Sequence, residues 1–215
     1  MLMTIEGCRT RATRLAAAAR ALQDSSGPSG AAPPFVLAFM TDRRRVACPE
    51  LVARALPRGT AIIYRDYDDP RRTAVGARLG SIARARGLFF LVGGDADLAH
   101  RLGADGVHLR TADLYRPDPV AFSHRLVVSA ACHSETDLAR AAAIGATLAV
   151  LSPVFATSSH PCAVPLGPER FRRLAAAAAL PVLALGGVDE TNARRLSGRN
   201  VRGIAAIGAF AGGRG

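Results

Sequence analysis

The chain has 215 residues, of which 49% are hydrophobic, so it can bury one large α/β core or two small ones. All 28 basic residues are arginine, which excludes a Schiff base on lysine and, against 17 acidic residues, leaves a formal net charge of +11. The arginines are scattered and only 5% of residues are aromatic, so this charge favours small phosphorylated anions as partners and not nucleic acid.

Cysteine usage indicates a reducing compartment. Cys8, Cys48, Cys132 and Cys162 form no CxxC pair, which disfavours a zinc site. The start of the chain lacks the basic, apolar and cleavage regions of a signal peptide, and no apolar run reaches the roughly 18–20 residues that a membrane span needs. We therefore expect a cytoplasmic protein with reduced thiols and no membrane partner.

The first 33 residues are predicted to form an N-terminal helix, at about 10–23, followed by a linker. The linker is the stretch "DSSGPSGAAPP", which is rich in serine, glycine and proline. Residues 34–215 are predicted to form a single domain, because apolar runs of strand length alternate regularly with segments of helical period from there onward.

Eight apolar runs are predicted as strands, at 35–40, 61–64, 88–92, 106–109, 126–131, 147–151, 181–185 and 203–207. Segments of helical period lie between them, at 48–56, 70–86, 95–103, 134–144, 168–179 and 190–197, while 111–123 is less regular. This alternation predicts a parallel sheet buried on both faces, and eight strands predict an α/β fold of the (β/α)8 TIM barrel type. A doubly wound sheet is the alternative, but no GxGxxG follows the first strand. Because "GAFAGGRG" alone follows the last strand, the eighth helix is predicted to be truncated or missing.

Ligands of such folds bind where the strands end. Gly186 and Gly187 follow the seventh predicted strand, and Gly208 follows the eighth. Glycines at these positions let backbone N–H groups approach an anion. The loops after strands seven and eight are therefore predicted to bind phosphate.

Four segments carry a family resemblance: "GADGVHLRTADL", "SPVFATSSHP", "PVLALGGVDETNARRL" and "VRGIAAIGAF". Together they resemble the thiamine phosphate synthase family and its thiazole tautomerase relatives, over residues 35–210. The resemblance implies a transferase of thiamine biosynthesis that joins hydroxymethylpyrimidine diphosphate to thiazole phosphate with loss of diphosphate. It also implies Mg²⁺, in a weak site that the substrate assists, and it leaves homo-oligomerisation open.

The second strand of the family ends in Gln-x-Arg-x-Lys, which grips the diphosphate. Here the segment is "IYRDY", so the resemblance assigns Arg65 to catalysis and diphosphate binding. Ile63 replaces the glutamine, and Tyr67 replaces the lysine as a substrate-binding residue without charge.

The metal ligands of the family follow the third and fourth strands. The third strand ends in Asn-Asp in the family, where this chain has Gly93 and Gly94, so Asp95 is the candidate substitute. The family's Gly-Gln-x-Asp after the fourth strand is here "RTAD", which retains Asp113. Asp113 and Asp95 are therefore the predicted metal ligands.

The loop after the sixth strand carries Thr-x-Thr-Lys in the family. The resemblance assigns substrate binding here to Thr157, Ser158, Ser159 and His160, and it also gives His160 a catalytic role where the family has lysine. The phosphate site is completed by Gly186, Gly187, Ile207 and Gly208.

Two other functions remain open from the sequence. The loss of the family's lysines and of the Asn-Asp pair would suit a barrel that binds thiazole phosphate or thiamine phosphate without catalysis. A thiazole tautomerase-like isomerase is the other alternative. The tautomerases have a histidine where this chain has Pro153, so His133 or His160 would have to transfer the proton.

Overall fold

Eight short parallel strands close into a barrel in the computed structural model, which describes residues 4–22, 34–116, 126–157 and 164–210. The strands are β1 Leu37–Met40, β2 Ala61–Tyr64, β3 Phe89–Gly93, β4 Gly106–Leu109, β5 Val127–Cys132, β6 Leu148–Leu151, β7 Val182–Ala184 and β8 Val201–Ala206. They neighbour one another in chain order, and β8 pairs with β1 to close the barrel. The predicted (β/α)8 fold is confirmed.

Helices cover the outside of the barrel. They are α1 Ile5–Ala21, α2 Pro49–Ala55, α3 Arg72–Arg86, α4 Ala96–Arg101, α5 Glu135–Ala143 and α6 Gly167–Ala177. Three 3-10 turns, at Thr111–Tyr115, Ala193–Leu196 and Gly208–Phe210, follow β4, β7 and β8. No helix in the part of the chain that the structure describes is long and apolar enough to cross a membrane.

Alternating side chains along each strand create two apolar layers. Residues such as Met40, Ile63 and Val150 pack inside the barrel, where the strands enclose a narrow core. The intervening residues, such as Phe39 and Ile62, pack outward against the helices. Burial on both faces explains why the strands read as continuous apolar runs in the sequence.

Helix α1 starts five residues earlier than predicted. Thr4 caps it, because the Thr4 hydroxyl accepts a hydrogen bond from the Gly7 N–H at 3.2 Å. Its apolar face is buried against α2, β8 and the 3-10 turn after β8, and the Cys8 thiol lies 3.9 Å from the carbonyl oxygen of Phe210. The helix thus packs where the chain leaves its last strand.

The predicted helix at 190–197 is a 3-10 turn at Ala193–Leu196. The carboxylate of Asp189 accepts hydrogen bonds from the backbone N–H groups of Thr191 and Asn192, which holds the segment in a tight turn. The irregular segment 111–123 begins with the 3-10 turn at Thr111–Tyr115, and the rest of it beyond residue 116 lies outside the described residues. So does the predicted linker up to residue 33.

Candidate active site

A cavity of about 1110 Å³ opens at the carboxyl ends of the strands. Six of the residues predicted to act at the site line it: Arg65, Thr157, Gly186, Gly187, Ile207 and Gly208. Tyr67, Asp95 and Asp113 lie outside this lining, and Ser158, Ser159 and His160 lie outside the described residues. The cavity is large enough for two small ligands, since pockets for one drug-sized ligand measure about 300–1,000 Å³.

Arg65 presents a partly buried guanidinium to the cavity. The Thr41 hydroxyl accepts a hydrogen bond from the Arg65 backbone N–H at 2.9 Å, which fixes the end of β2 against the end of β1. Burial lowers the pKa of Arg65, but an arginine remains charged in proteins. Its Nε is buried and has no hydrogen-bond partner within the described residues, so the group is suited to an anionic ligand.

His108 forms part of the cavity floor and is 1% exposed. Its Nδ1 lies 2.9 Å from the hydroxyl of Ser129, the residue beside it in the register of β4 and β5. That hydroxyl is also 3.3 Å from the carbonyl oxygen of Val107, so it can accept from Nδ1–H and donate to the carbonyl. Burial, with a smaller contribution from Arg65, lowers the pKa of His108 to about 3, so the ring is neutral at pH 7.

His133 follows β5 and also lines the cavity. Its backbone N–H donates to the carboxylate of Asp137 at 2.8 Å. Its Nδ1 lies 2.8 Å from the carbonyl oxygen of Ser152, which can only accept, so Nδ1 carries a proton. Nε2 is then the ring nitrogen that a ligand can use.

Gly186 and Gly187 bring the loop after β7 against the loop after β6. Their φ angles are 96° and 64°, in the region that favours glycine. A Cβ at Gly186 would lie 2.8 Å from the Cα of Pro153, and one at Gly187 would lie 2.6 Å from the carbonyl oxygen of Ala156. The Ser152–Pro153 peptide bond is cis. Only glycine allows the two loops to approach this closely.

Three further arginines line the cavity beside the predicted phosphate loops: Arg11 from α1, and Arg44 and Arg45 from the loop after β1. That loop turns on Asp42, whose side chain and carbonyl oxygen accept hydrogen bonds from the backbone N–H groups of Arg44 and Arg45. The Arg45 guanidinium lies directly over Gly208, so close that a Cβ at position 208 would clash with Nη2 of Arg45. The site therefore has positive charge at its β8 side as well as at Arg65.

The two predicted metal ligands have other partners. The carboxylate of Asp95 caps α4 by accepting a hydrogen bond from the Leu98 N–H at 2.8 Å. Asp113 pairs with Arg110, with Nη2–Oδ1 and Nε–Oδ2 distances of 2.8 and 3.0 Å. Burial alone would raise the pKa of Asp113, but the hydrogen bonds from Arg110 lower it overall. Among the described residues no group of three or more His, Cys, Asp or Glu could hold a metal ion.

Residues 37–210 match the family model described as thiamine monophosphate synthase. The chain belongs to the thiamine monophosphate synthase family. A thiamine-phosphate synthase of Chromobacterium violaceum is 40% identical over 168 residues, which are 74% of this chain and 78% of that protein. A thiamine-phosphate synthase of Pyrococcus furiosus is 32% identical over 179 residues, which are 82% of this chain and 86% of that protein.

A solved structure agrees with this membership. The thiamine phosphate pyrophosphorylase of Pyrococcus furiosus superposes with a TM-score of 0.65 at 27% identity, covering 83% of this chain and 88% of its own. The family resemblance inferred from the four sequence segments is therefore confirmed.

The metal that the thiamine monophosphate synthase family implies does not fit the described residues. Gly94 offers no ligand where the family pattern has aspartate, Asp95 is used by α4, and both carboxylate oxygens of Asp113 are bound by Arg110. Binding of a magnesium ion by the protein was predicted from the resemblance alone, and it stays a prediction.

Five residues that line the cavity or shape it were not predicted from the sequence: Arg11, Arg44, Arg45, His108 and Ser129. A signal existed for some of them. The "TDRRR" segment follows β1 directly, and the "GVHL" strand places His108 between two outward-facing apolar residues. For Arg11 no signal existed, because nothing local shows that α1 reaches the carboxyl ends of the strands.

Proposed function

We propose that this chain is a thiamine phosphate synthase that joins hydroxymethylpyrimidine diphosphate to thiazole phosphate. The observation that carries the proposal is one cavity of about 1110 Å³ that arginines line at two strand ends, Arg65 at the end of β2 and Arg45 over Gly208 after β8. Two phosphorylated substrates need two such anion-binding regions facing a shared space.

The reaction needs little acid–base chemistry from the protein. The bond between the exocyclic methylene carbon of the pyrimidine and the diphosphate oxygen breaks, and the electron pair leaves with the diphosphate. The lone pair of the thiazole nitrogen then forms the new C–N bond, so that nitrogen becomes positively charged and no proton is transferred. The site must therefore hold two anions, align the reacting atoms and exclude water.

Arg65 is the proposed ligand of the diphosphate. Its partly buried guanidinium can donate to two phosphate oxygens at once and stabilise the charge that grows as the diphosphate leaves. His108 supports this step because it is neutral: an imidazolium beneath the pyrimidine would oppose the positive charge that develops there.

The thiazole phosphate is proposed to bind at the loops after β7 and β8. Gly186, Gly187 and Gly208 allow its oxygens to approach backbone N–H groups, and Arg11 and Arg45 add charge beside them. Thr157 lies at the same side of the cavity. Phosphate binding and a cytoplasmic location are part of this proposal, and the unpaired thiols of Cys8, Cys48 and Cys132 support the latter.

The test is to incubate the purified protein with both substrates and Mg²⁺ and to measure thiamine phosphate and free diphosphate by chromatography. We expect both products in equal amounts. Replacing Arg65 with Ala lowers kcat/KM by about 10- to 100-fold through the loss of charge-assisted hydrogen bonds. The matched control is Arg54→Ala, an exposed arginine of α2, which leaves kcat/KM unchanged.

The alternatives predict other results. A non-catalytic barrel would bind thiazole phosphate in a calorimeter, would not bind the pyrimidine diphosphate and would give no product. An isomerase would change the thiazole without releasing diphosphate. One observation favours that second reading: His133 lines the cavity with Nε2 unused by the Ser152 carbonyl. Unaltered protein without isomerase activity, together with a His133→Ala variant that keeps full synthase activity, would remove it.

A further inference from the structure

Arg110 is bound to Asp113 along the whole edge of its guanidinium. Nη2 lies 2.8 Å from Oδ1, Nε lies 3.0 Å from Oδ2, and the Arg110 backbone N–H also donates to Oδ2 at 2.8 Å. The Asp113 side chain is 8% exposed and that of Arg110 is 47% exposed. The carboxylate is therefore buried and accepts three hydrogen bonds from Arg110, while three of the five guanidinium N–H groups lie outside this pair.

Arg110 also occupies the space beside Gly94. A Cβ at Gly94 would lie 3.1 Å from Nε and 3.3 Å from Cδ of Arg110. The family pattern has aspartate at the position of Gly94 and glycine at the position of Arg110, so this chain has exchanged both. The carboxylate that would bind a cation is gone, and a guanidinium stands in the same place.

Two more arginines and a tyrosine extend this positive region. The ring of Tyr67 has the Arg72 guanidinium 5.2 Å and the Arg110 guanidinium 5.8 Å from its centroid. Arg65, which lines the cavity, interacts electrostatically with the Tyr67 hydroxyl. We call Arg65, Tyr67, Arg72 and Arg110 the arginine–tyrosine cluster. Its members follow β2, where the resemblance places the diphosphate, and β4, where it places a metal ligand.

The chemistry of the cluster suits a diphosphate. Guanidinium groups donate pairs of hydrogen bonds to phosphate oxygens, and Tyr67 adds a hydroxyl donor. Burial raises the pKa of Tyr67, so the hydroxyl keeps its proton at pH 7. Arg72 already donates a hydrogen bond to the carbonyl oxygen of Gly93. Its Nη1 is buried and has no hydrogen-bond partner among the described residues.

We propose that Arg110 takes the place of a protein-bound divalent cation, and that the arginine–tyrosine cluster binds the diphosphate group without a metal held by the protein. The identity of the diphosphate as part of a pyrimidine substrate rests on the proposed function. Mg²⁺ is then a counter-ion that the diphosphate carries, and the guanidinium of Arg110 stabilises the departing oxygens directly.

The first experiment measures binding and not catalysis. Mn²⁺ is titrated into the purified protein and followed by electron paramagnetic resonance, and inorganic diphosphate is titrated calorimetrically in EDTA. We expect no bound Mn²⁺ and diphosphate affinity that EDTA does not change. Arg110→Ala weakens diphosphate binding by about 10- to 100-fold, because charge-assisted hydrogen bonds are lost. Arg116→Ala removes a neighbouring exposed charge and is the matched control, with less than about a threefold effect.

A second variant restores the family pattern. Gly94→Asp combined with Arg110→Gly adds one carboxylate and releases that of Asp113 from the guanidinium, and aspartate tolerates the φ of 64° at position 94. We expect this variant to bind Mn²⁺ and to bind diphosphate only with a divalent cation. A folded double variant that binds no Mn²⁺ would overturn the placement of Arg110.

The inference also fails if the unaltered protein binds Mn²⁺ in an Asp113-dependent way, or if EDTA abolishes its binding of diphosphate. These results are independent of the proposed function. Protein that binds diphosphate in EDTA but makes no thiamine phosphate keeps the inference and loses the synthase. Protein that makes thiamine phosphate but needs a bound metal for diphosphate keeps the synthase and loses the inference.

Discussion

At the scale of single residues, His108 shows how burial determines chemistry. The ring is buried at the floor of the cavity, with Ser129 as its partner, and the surroundings do not compensate a charge there, so its pKa falls to about 3. Unfolding exposes the histidine to water and returns its pKa to the ordinary value of 6.5. Between these two values the unfolded state binds a proton that the folded state does not.

This difference predicts how stability depends on pH. The free energy of unfolding falls as the pH drops below 6.5, and His108 alone contributes about 2 kcal/mol of loss between pH 6.5 and 5. His108→Asn removes that part of the slope, which urea unfolding at pH 7 and pH 5 can measure. His100→Asn, on the exposed end of α4, is the control and keeps the original slope. An unchanged slope in His108→Asn would contradict the buried neutral ring.

Gly186 gives a second prediction at this scale. Gly186→Ala places a methyl group 2.8 Å from the Pro153 backbone at a φ of 96°, so we expect a loss of about 2–5 kcal/mol in the free energy of unfolding. Gly145→Ala has a similar φ of 80° but open space around its Cβ, so it should lose only about 1–2 kcal/mol. Equal losses in the two variants would show that the loops after β6 and β7 do not press together.

At the scale of elements, α1 is part of the barrel and not an appended segment. Leu15 is fully buried, and the helix contacts α2, β8 and the turns after β7 and β8. The same helix brings Arg11 to the cavity, so packing on one face positions a charge on another. An element outside the (β/α)8 repeat thereby contributes to the site.

Leu15→Ala tests this integration. Removing a buried leucine side chain should lower the free energy of unfolding by about 2–5 kcal/mol, in one cooperative urea transition. Arg14→Ala, its exposed neighbour, should change stability by no more than about 0.5 kcal/mol. A separate early transition for α1, or no effect of Leu15→Ala, would show that the helix folds apart from the barrel.

At the scale of the whole molecule, the charge of +11 acts on anionic substrates before they bind. Four arginines and three acidic residues line the cavity, so the site shares in this positive field with a net positive charge of its own. Salt screens such a field, and at physiological ionic strength the Debye length is about 8 Å, so charges farther apart than this interact only weakly through water.

We therefore expect the KM for each phosphorylated substrate to rise several-fold as ionic strength increases from ~0.02 to ~0.2 M, while kcat changes little. Steady-state kinetics with sodium chloride measures this. Unphosphorylated thiazole alcohol is the control substrate, and its KM should not change with ionic strength. A KM for thiazole phosphate that is independent of salt would mean that the arginines are already neutralised within the protein.

The sequence alone was sufficient for the barrel and for the end of it that holds the site. All eight predicted strands exist, with bounds that differ by no more than about two residues, because apolar runs and turn residues are local properties of the chain. Arg65 and the glycines after β7 and β8 follow from the same pattern, since a residue just after a strand must lie at the carboxyl end of the barrel. The helix predicted at 190–197 was wrong because the Asp189 side chain competes for the backbone N–H groups that a helix would use.

What each of these side chains binds was decided only by the tertiary structure. Asp113 follows its strand as predicted, but whether it is open to a cation depends on Arg110 folding back over Gly94, and that requires β3 and β4 to be side by side. The pairing of His108 with Ser129 depends likewise on the register between β4 and β5. Periodicity is a property of neighbouring residues, whereas hydrogen bonds and charge pairs join residues that are distant in the chain and depend on a few ångströms of side-chain position.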